Sequence, residues 1–337
     1  VCEEVGMEGA TGIDVSMLKG KKLLNMDSEE EGVMLASCAG GCRADVKLPV
    51  ERETVSGTKL IVSLSGLTGG HSGSEIDKGR GNANILMSRL LRDASAPVAI
   101  ASIDGGRKDN AIPRECTAQI IVAPDEAAAV KASIEQAAAE IAEEFKASDP
   151  DLKLTVSEET DCSESAISAK DSARVIALIE ALPNGIIRMS REIDKLVETS
   201  LNLGVLKSDD AAVTLRYAVR SSVGVAKKSL KNQLVCIAGA FAAEVTFEGD
   251  YPAWEYKKDS KLREDMVRIF EEMYGKKPTV EAIHAGVECG LLSGKIEGLD
   301  CISMGPDMYD IHTTEERLSI SSAKRSYEYI LRVIACK

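Results

Sequence analysis

Apolar and polar positions alternate between two periods along most of the chain. The run KLLNMD at 22–27 reads as a short buried strand, and 45–48 and 59–64 repeat every second residue. The pattern then predicts a helix over 74–91 and strands over 98–103 and 116–122. A long helix is expected from Asp125 to Phe145, with Val130, Ile134, Ile141 and Phe145 on one face. A strand at 152–156 and a helix at 169–182 follow, the helix ended by Pro183-Asn184-Gly185. Strands are expected over 186–189, 201–206 and 212–219, a helix over 228–243 and a strand over 244–248. Ser260 caps a further helix with the stripe Leu262, Met266, Ile269, Phe270 and Met273, and Gly275 ends it. The last helix spans 321–334.

This alternation favours an α/β or α+β class. The stretch 42–232 holds enough elements for one α+β domain. The flanks 1–41 and 233–337 are each too small to bury a core alone, so they are expected to combine around an insertion. The sequence shows no internal repeat and no low-complexity linker.

Composition narrows the partners. Forty-one basic against 54 acidic residues give a net charge of −13, which argues against a nucleic-acid groove or an anionic membrane surface. No apolar run reaches the roughly 18 residues of a membrane span, and no signal peptide is visible. Nine scattered cysteines without a C-x-x-C read as free thiols in a reducing compartment. Only His71, His284 and His312 are available for histidine chemistry.

Four clusters can carry chemistry. Glu3-Glu4 is a carboxylate pair in which one member can ligate a metal and the other serve as general base. Adjacent glutamates are also commonly just a solvated face. Asp27 ends the first strand, where open α/β sheets place ligands, although a turn residue would look the same. Gly69-Gly70-His71-Ser72-Gly73 leads into a segment with Asn82 and Asn84, and glycines around a histidine permit close approach. Tyr309-Asp310-Ile311-His312-Thr313 places an imidazole beside a carboxylate that could orient it. Together, one histidine and several carboxylates suit an oxygen- and nitrogen-rich zinc or manganese site of the hydrolytic kind, of the sort that often holds two metals.

Long blocks then resemble the aminoacyl-histidine dipeptidases (Xaa-His or cytosolic non-specific dipeptidases), a family of co-catalytic zinc exopeptidases. They include EEVGMEGATG, NMDSEEEG, GLTGGHSGSEIDKGRGNAN, DNAIPREC, VETSLNLG, the VRSS segment, the HAGVECGLLSGKIEGLD block and MGPDMYDIHTTEERLSISSAKRSYEYIL. The resemblance implies an α/β zinc-exopeptidase-like catalytic domain from 1–41 and 233–337, with an inserted α+β lid and dimerisation domain at 42–232. It implies Glu3 as general base, Glu4 and His312 as ligands of one metal, and Asp27 as ligand of the other. It implies His71 as the lid histidine that polarises the scissile carbonyl, often across a dimer. Asn110, Arg220 and Gly286 match residues that hold substrate. Two zinc ions per site are implied, with manganese or cobalt as possible substitutes, in a cytoplasmic homodimer that cleaves dipeptides.

Two departures stand out. Cys2 occupies a position usually Asp, and Asp77 one that is often His. The family's upstream histidine ligand and bridging aspartate would precede Val1, so the chain reads as lacking an N-terminal part of the catalytic domain and, alone, as weakly active or inactive. A non-catalytic dimerisation module and a related aminoacylase or tripeptidase are the alternative readings.

Overall fold

The computed structural model describes residues 8–311 and 313–336. The chain starts in a small sheet, leaves it for a large one, and returns. After α1 (Glu8–Gly12), β1 (Lys22–Asn25) and β2 (Val33–Cys38) lie in the small sheet, and β3 (Gly40–Pro49) enters the large one. A first run of elements follows: β4 (Arg52–Ser65), β5 (Gly70–His71), a 3-10 turn at Ile76–Lys78, α2 (Ala83–Arg92), β6 (Ala99–Gly105), β7 (Ala111–Ile112), β8 (Cys116–Val122), α3 (Ala127–Phe145) and β9 (Lys153–Ile167). A second run comprises α4 (Ala169–Ala181), β10 (Gly185–Met189), β11 (Val197–Ser208), β12 (Ala212–Ser221), α5 (Gly224–Ala240) and β13 (Glu244–Tyr251). The chain then closes the small sheet with α6 (Lys261–Tyr274), β14 (Thr279–Ile283), α7 (Glu288–Lys295), β15 (Asp300–Ser303), the hairpin β16 (Met308–Tyr309) and β17 (Arg317–Leu318), and α8 (Ile320–Ala335).

The large sheet has nine strands in the order β13-β3-β12-β11-β6-β8-β4-β9, with β10 paired to β11. That order contains a repeat that the sequence does not show. In β4-α2-β6-β8-α3-β9 the strands lie 4-1-3-2, the ferredoxin-like βαββαβ arrangement. In β3-α4-β11-β12-α5-β13 they also lie 4-1-3-2. The first unit is nested whole between the first strand and first helix of the second. The junction is tied where Ser168 N–H donates to the Glu51 carbonyl and Glu51 N–H donates to the buried Asp171 carboxylate. The units meet through their second strands, β6 and β11, in antiparallel register with Leu206 opposite Gly105 and Lys207 opposite Asp104.

All four long helices of these units contribute to one core, with Leu86, Leu90, Val130, Ile134, Val175, Ile179, Leu230 and Leu234 all buried against Leu60, Ile120, Leu203 and Leu215. Each such aliphatic side chain contributes about 1.5–3 kcal/mol when buried. Helix α5 straddles the boundary expected at 232, and strand β13 lies beyond it. They nevertheless belong with this sheet, since Leu230 and Leu234 enter its core and Val245 faces Val46. The small sheet, ordered β1-β15-β2-β14, packs Met34, Ile302 and Met304 against Leu262, Met266 and Phe270 of α6 and Tyr329 of α8. The capping signals hold: Ser260 accepts from Arg263 N–H, and Gly275 ends α6 in the left-handed region at φ 69°.

One expected helix is shorter than its pattern. The segment 74–91 is helical only from Ala83, because Gly79 takes φ 65° and Asn82 caps the helix by accepting from Asn84 and Ile85 N–H. The residues ahead of the cap form instead the loop that carries His71.

Candidate active site

The His71 loop is clamped at both ends by one buried carboxylate. Asp149 accepts from Thr68 N–H and from Gly81 N–H, each at 2.8 Å. Within the loop, His71 pairs with Ala111 in the short β5–β7 ladder, and Ser72 N–H donates to the Asn110 carbonyl at 2.9 Å. His71 and Asn110, far apart in sequence, are thereby neighbours.

The ring of His71 is oriented by backbone. Its Nδ1 accepts from Gly73 N–H at 3.2 Å and Ser74 N–H at 3.1 Å. A nitrogen that accepts cannot carry the proton, so the hydrogen is assigned to Nε2, which is left as a donor. Burial, with the Arg220 guanidinium nearby and Glu75 opposing, holds the imidazole below its ordinary pKa. The ring is therefore a neutral Nε2–H donor at neutral pH.

Arg220 reaches the same place from the end of β12. Its Nη1 donates to the Tyr251 hydroxyl at 3.3 Å, and its buried Nε has no hydrogen-bond partner among the described residues. Tyr251 lies on Gly41, where a Cβ would come within 2.6 Å of the hydroxyl, so a side chain there would displace the ring. Asn110, Arg220 and Tyr251 line one cavity of about 260 Å³.

A third segment arrives from the small sheet. His284, just after β14, is buried, and its Nε2 lies 2.7 Å from the Ser200 hydroxyl of β11. Its carbonyl is so close to Gly73 that a Cβ on the glycine would sit 2.4 Å away. Gly286 is two residues further along this loop. Asn25 Nδ2 reaches Glu288 Oε2 at 3.4 Å, which joins the loop's far end to the strand preceding Asp27. Asp27 is exposed just past the C-terminal end of β1. Beside it, Ser28 N–H donates to the Met304 carbonyl and Met308 N–H to Glu29, so the β16–β17 hairpin borders the Asp27 turn.

Of the expected site residues, the structure brings His71, Asn110 and Arg220 together and sets the Gly286 loop against them. Asp27 lies at the strand end, as its position suggested. Glu3, Glu4 and His312 lie outside the described residues. Asp310, expected as an orienting carboxylate, pairs with Arg317 at 2.7 Å. Asp77 is exposed and pairs with Lys78. Among the described residues no group of three or more His, Cys, Asp or Glu side chains could hold a metal ion. Those described show no disulfide, and Cys38, Cys42, Cys116, Cys289 and Cys301 are buried free thiols.

Sequence reasoning missed Asn202. It is buried in β11, and its Nδ2 donates to the carbonyls of Asp109 and Ala111 at 3.0 and 2.9 Å, while its Oδ1 accepts from Asn82 Nδ2 at 3.1 Å. Asn82 and Asn84 also donate to the Leu203 carbonyl. The signal was present in ETSLNLG: a strand whose polar residues leave no outward face predicts a buried polar network. Asn202→Ala is expected to lower stability by about 2–4 kcal/mol, since it leaves the Asp109 and Ala111 carbonyls without their donor and removes one partner of the Asn82 amide. Urea denaturation would measure this, and a loss under 0.5 kcal/mol would contradict it.

His284 carries a pH signature. Burial, then the nearby positive charge of Arg220, lowers its pKa to about 3. The folded protein thus binds fewer protons than the unfolded chain between about pH 6.5 and 3. Its contribution to stability is complete above pH 6.5 and is lost as pH falls toward 3. Urea midpoints measured down this range should fall, and His284→Gln should flatten the slope.

The comparisons with known proteins bear on this geometry. Residues 62–149, within the nested unit, match the family model described as the peptidase dimerisation domain. The structure aligns with the crystal structure of aminoacylhistidine dipeptidase from Vibrio alginolyticus at a TM-score of 0.91 and 32% identity, covering 99% of this chain and 69% of that one. The chain is 35% identical to the cytosol non-specific dipeptidase of Escherichia coli (strain K12) over 324 residues, 95% of this chain and 67% of that protein. The chain belongs to the aminoacylhistidine dipeptidase (cytosol non-specific dipeptidase) family. As a member of that family it shares the mixed α/β fold with its dimerisation lid, and the resemblance read from the motif blocks is borne out. No helix among the described residues is long and apolar enough to cross a membrane.

Proposed function

We propose that this chain binds a dipeptide between its two sheets and supports metal-dependent hydrolysis of the peptide bond. The observation that carries the reading is the convergence of three distant stretches in a member of a dipeptidase family: Asn110 and Arg220 line one cavity, and the His71 loop packs against both of them. Arg220 would receive the terminal carboxylate, since a guanidinium matches a carboxylate in shape and charge. Asn110 and the Gly286 backbone would hold the peptide main chain. The Nε2–H of His71 would donate to the carbonyl oxygen as negative charge develops on it.

The donor set Glu4, Asp27 and His312, two carboxylates and an imidazole, suits zinc by its chemistry, with manganese or cobalt as substitutes. When bound, the metal would polarise the carbonyl and acidify the attacking water. Glu3 would take the proton from that water and pass it to the leaving amine. We further propose that 40–251 forms the lid, that 1–39 and 252–337 belong to the catalytic unit, and that the protein is a cytoplasmic homodimer. The dimerisation-domain match supports the homodimer, and the name of the Escherichia coli relative supports the cytoplasmic location.

The test is hydrolysis of Ala-His with added zinc. Weak turnover that a chelator abolishes and zinc restores is expected. A non-catalytic dimerisation module would show none under either condition. A tripeptidase would cleave Ala-Ala-Ala in preference to Ala-His.

A further inference from the structure

The face of the large sheet turned away from the helices is built in rows. Across β11, β12, β3 and β13, one row reads Ser200, Arg220, Gly41 and Tyr251, and the next reads Asn202, Ala218, Arg43 and Glu248. Leu201, Val219 and Cys42, between the two rows, turn the other way into the helix-covered core. In the row beyond, Arg216 and Asp45 pair through two bonds of 2.8 Å.

The first two rows enclose a hollow. Gly41 has no side chain and Ala218 only a methyl, so the floor is low between taller neighbours. An extra residue in β13 separates Glu248 from Tyr251, with Gly249 at φ 59°, and the Tyr251 ring lies on Gly41 as one wall. This hollow is the cavity of about 260 Å³ bordered by Asn110 and Arg220. Whole small-molecule ligands occupy roughly 300–1,000 Å³, so this one suits a single side chain. Its charges do not balance. Arg43 donates through Nε to Asp109 at 2.8 Å, and its Nη1 lies 3.6 Å from Glu248. One cation thus faces two carboxylates, of which Glu248 is the more weakly held and is 66% exposed. Asp250, on the same strand, is engaged by Lys227 and Lys231.

We propose that this cavity takes the side chain of the substrate's C-terminal residue, and that Glu248, beside the Arg43–Asp109 pair, makes it select a cationic side chain over an acidic one. With the terminal carboxylate on Arg220, the side chain on the same Cα borders the cavity directly. The inference rests on the peptide-binding reading of the site and adds a specificity to it.

Titration calorimetry of the whole chain at low ionic strength, with Ala-Gln, Ala-Glu and Ala-Lys as ligands, tests this without requiring turnover. An exposed ion pair changes affinity by up to about fivefold, and exchanging attraction for repulsion compounds it, so Ala-Lys should bind about tenfold more tightly than Ala-Glu. Ala-Gln should fall between them, and added salt should shrink the ratio. E248Q should cut the ratio of Ala-Lys to Ala-Glu affinity at least twofold, and E248K should invert it. E244Q alters the net charge equally on the same strand but outside the cavity, and should keep the ratio. A wild-type ratio under threefold, or one that E248Q leaves within twofold of wild type, would overturn the proposal and leave the peptide-binding reading standing. Failure of all three peptides to bind would sink that reading, and this inference with it.

Discussion

His71→Ala is expected to lower kcat for dipeptide hydrolysis by about 10²- to 10³-fold with a much smaller change in KM. The reason is differential: the Nε2–H donor gains most when the carbonyl oxygen becomes anionic, so its loss is felt in the transition state. Two backbone N–H groups fix the ring through Nδ1, so the donor needs no reorganisation as charge develops. His71→Gln retains an N–H without that fixed orientation and should recover only part of the rate. A fall in kcat/KM carried wholly by KM would show that the residue binds ground state and transition state alike.

Arg220→Ala should lower kcat/KM for dipeptides by about 10²-fold, since a charge-assisted bond to a carboxylate in a partly buried site is worth roughly 1.5–3 kcal/mol. The effect should largely vanish with a dipeptide amide, which offers no carboxylate. Equal losses on both substrates would place Arg220 elsewhere in the reaction. Arg220→Lys should recover only part, because an ammonium cannot form the two parallel bonds of the guanidinium. Arg220→Ala should also raise the pKa of His71, since the Arg220 charge is among the causes that depress it. The acid limb of the pH–rate profile should therefore move upward in Arg220→Ala.

Much of the fold was legible because period and capping agree locally. The helices beginning at Ala127, Ala169 and Lys261 lie close to where periodicity and the Ser260 cap place them. The strand β2 was not anticipated, because VMLASC is a short apolar run without alternation. Strand β9 was expected over five residues and extends to Ile167, because its polar half pairs with β4 as an exposed ribbon in which hydrophobicity gives no signal. The repeat was invisible for a different reason. It resides in strand order, and the two copies are interleaved along the chain.

The site shows the same division. Motif blocks pointed to His71, Asn110, Arg220 and Gly286; the stretch ETSLNLG marks Ser200 and Asn202 as buried polar residues, but nothing local says which groups they and Tyr251 support. Their roles depend on which strands become neighbours. Register, set by long-range pairing such as Arg220 opposite Gly41, is what turns these residues toward one another.

The nesting of one unit inside the other also orders events during folding. Strands β4 to β9 are contiguous in the chain and can pair as soon as they are made. Strand β3 must wait for β12 and β13, which are synthesised only after the whole nested unit, and it bears the loop-closure entropy of that separation. His71 and Asn110 thus lie on the unit whose strands can pair first, while the Asn202 bonds that hold the Asn110 loop and the side chain of Arg220 join only with β11 and β12.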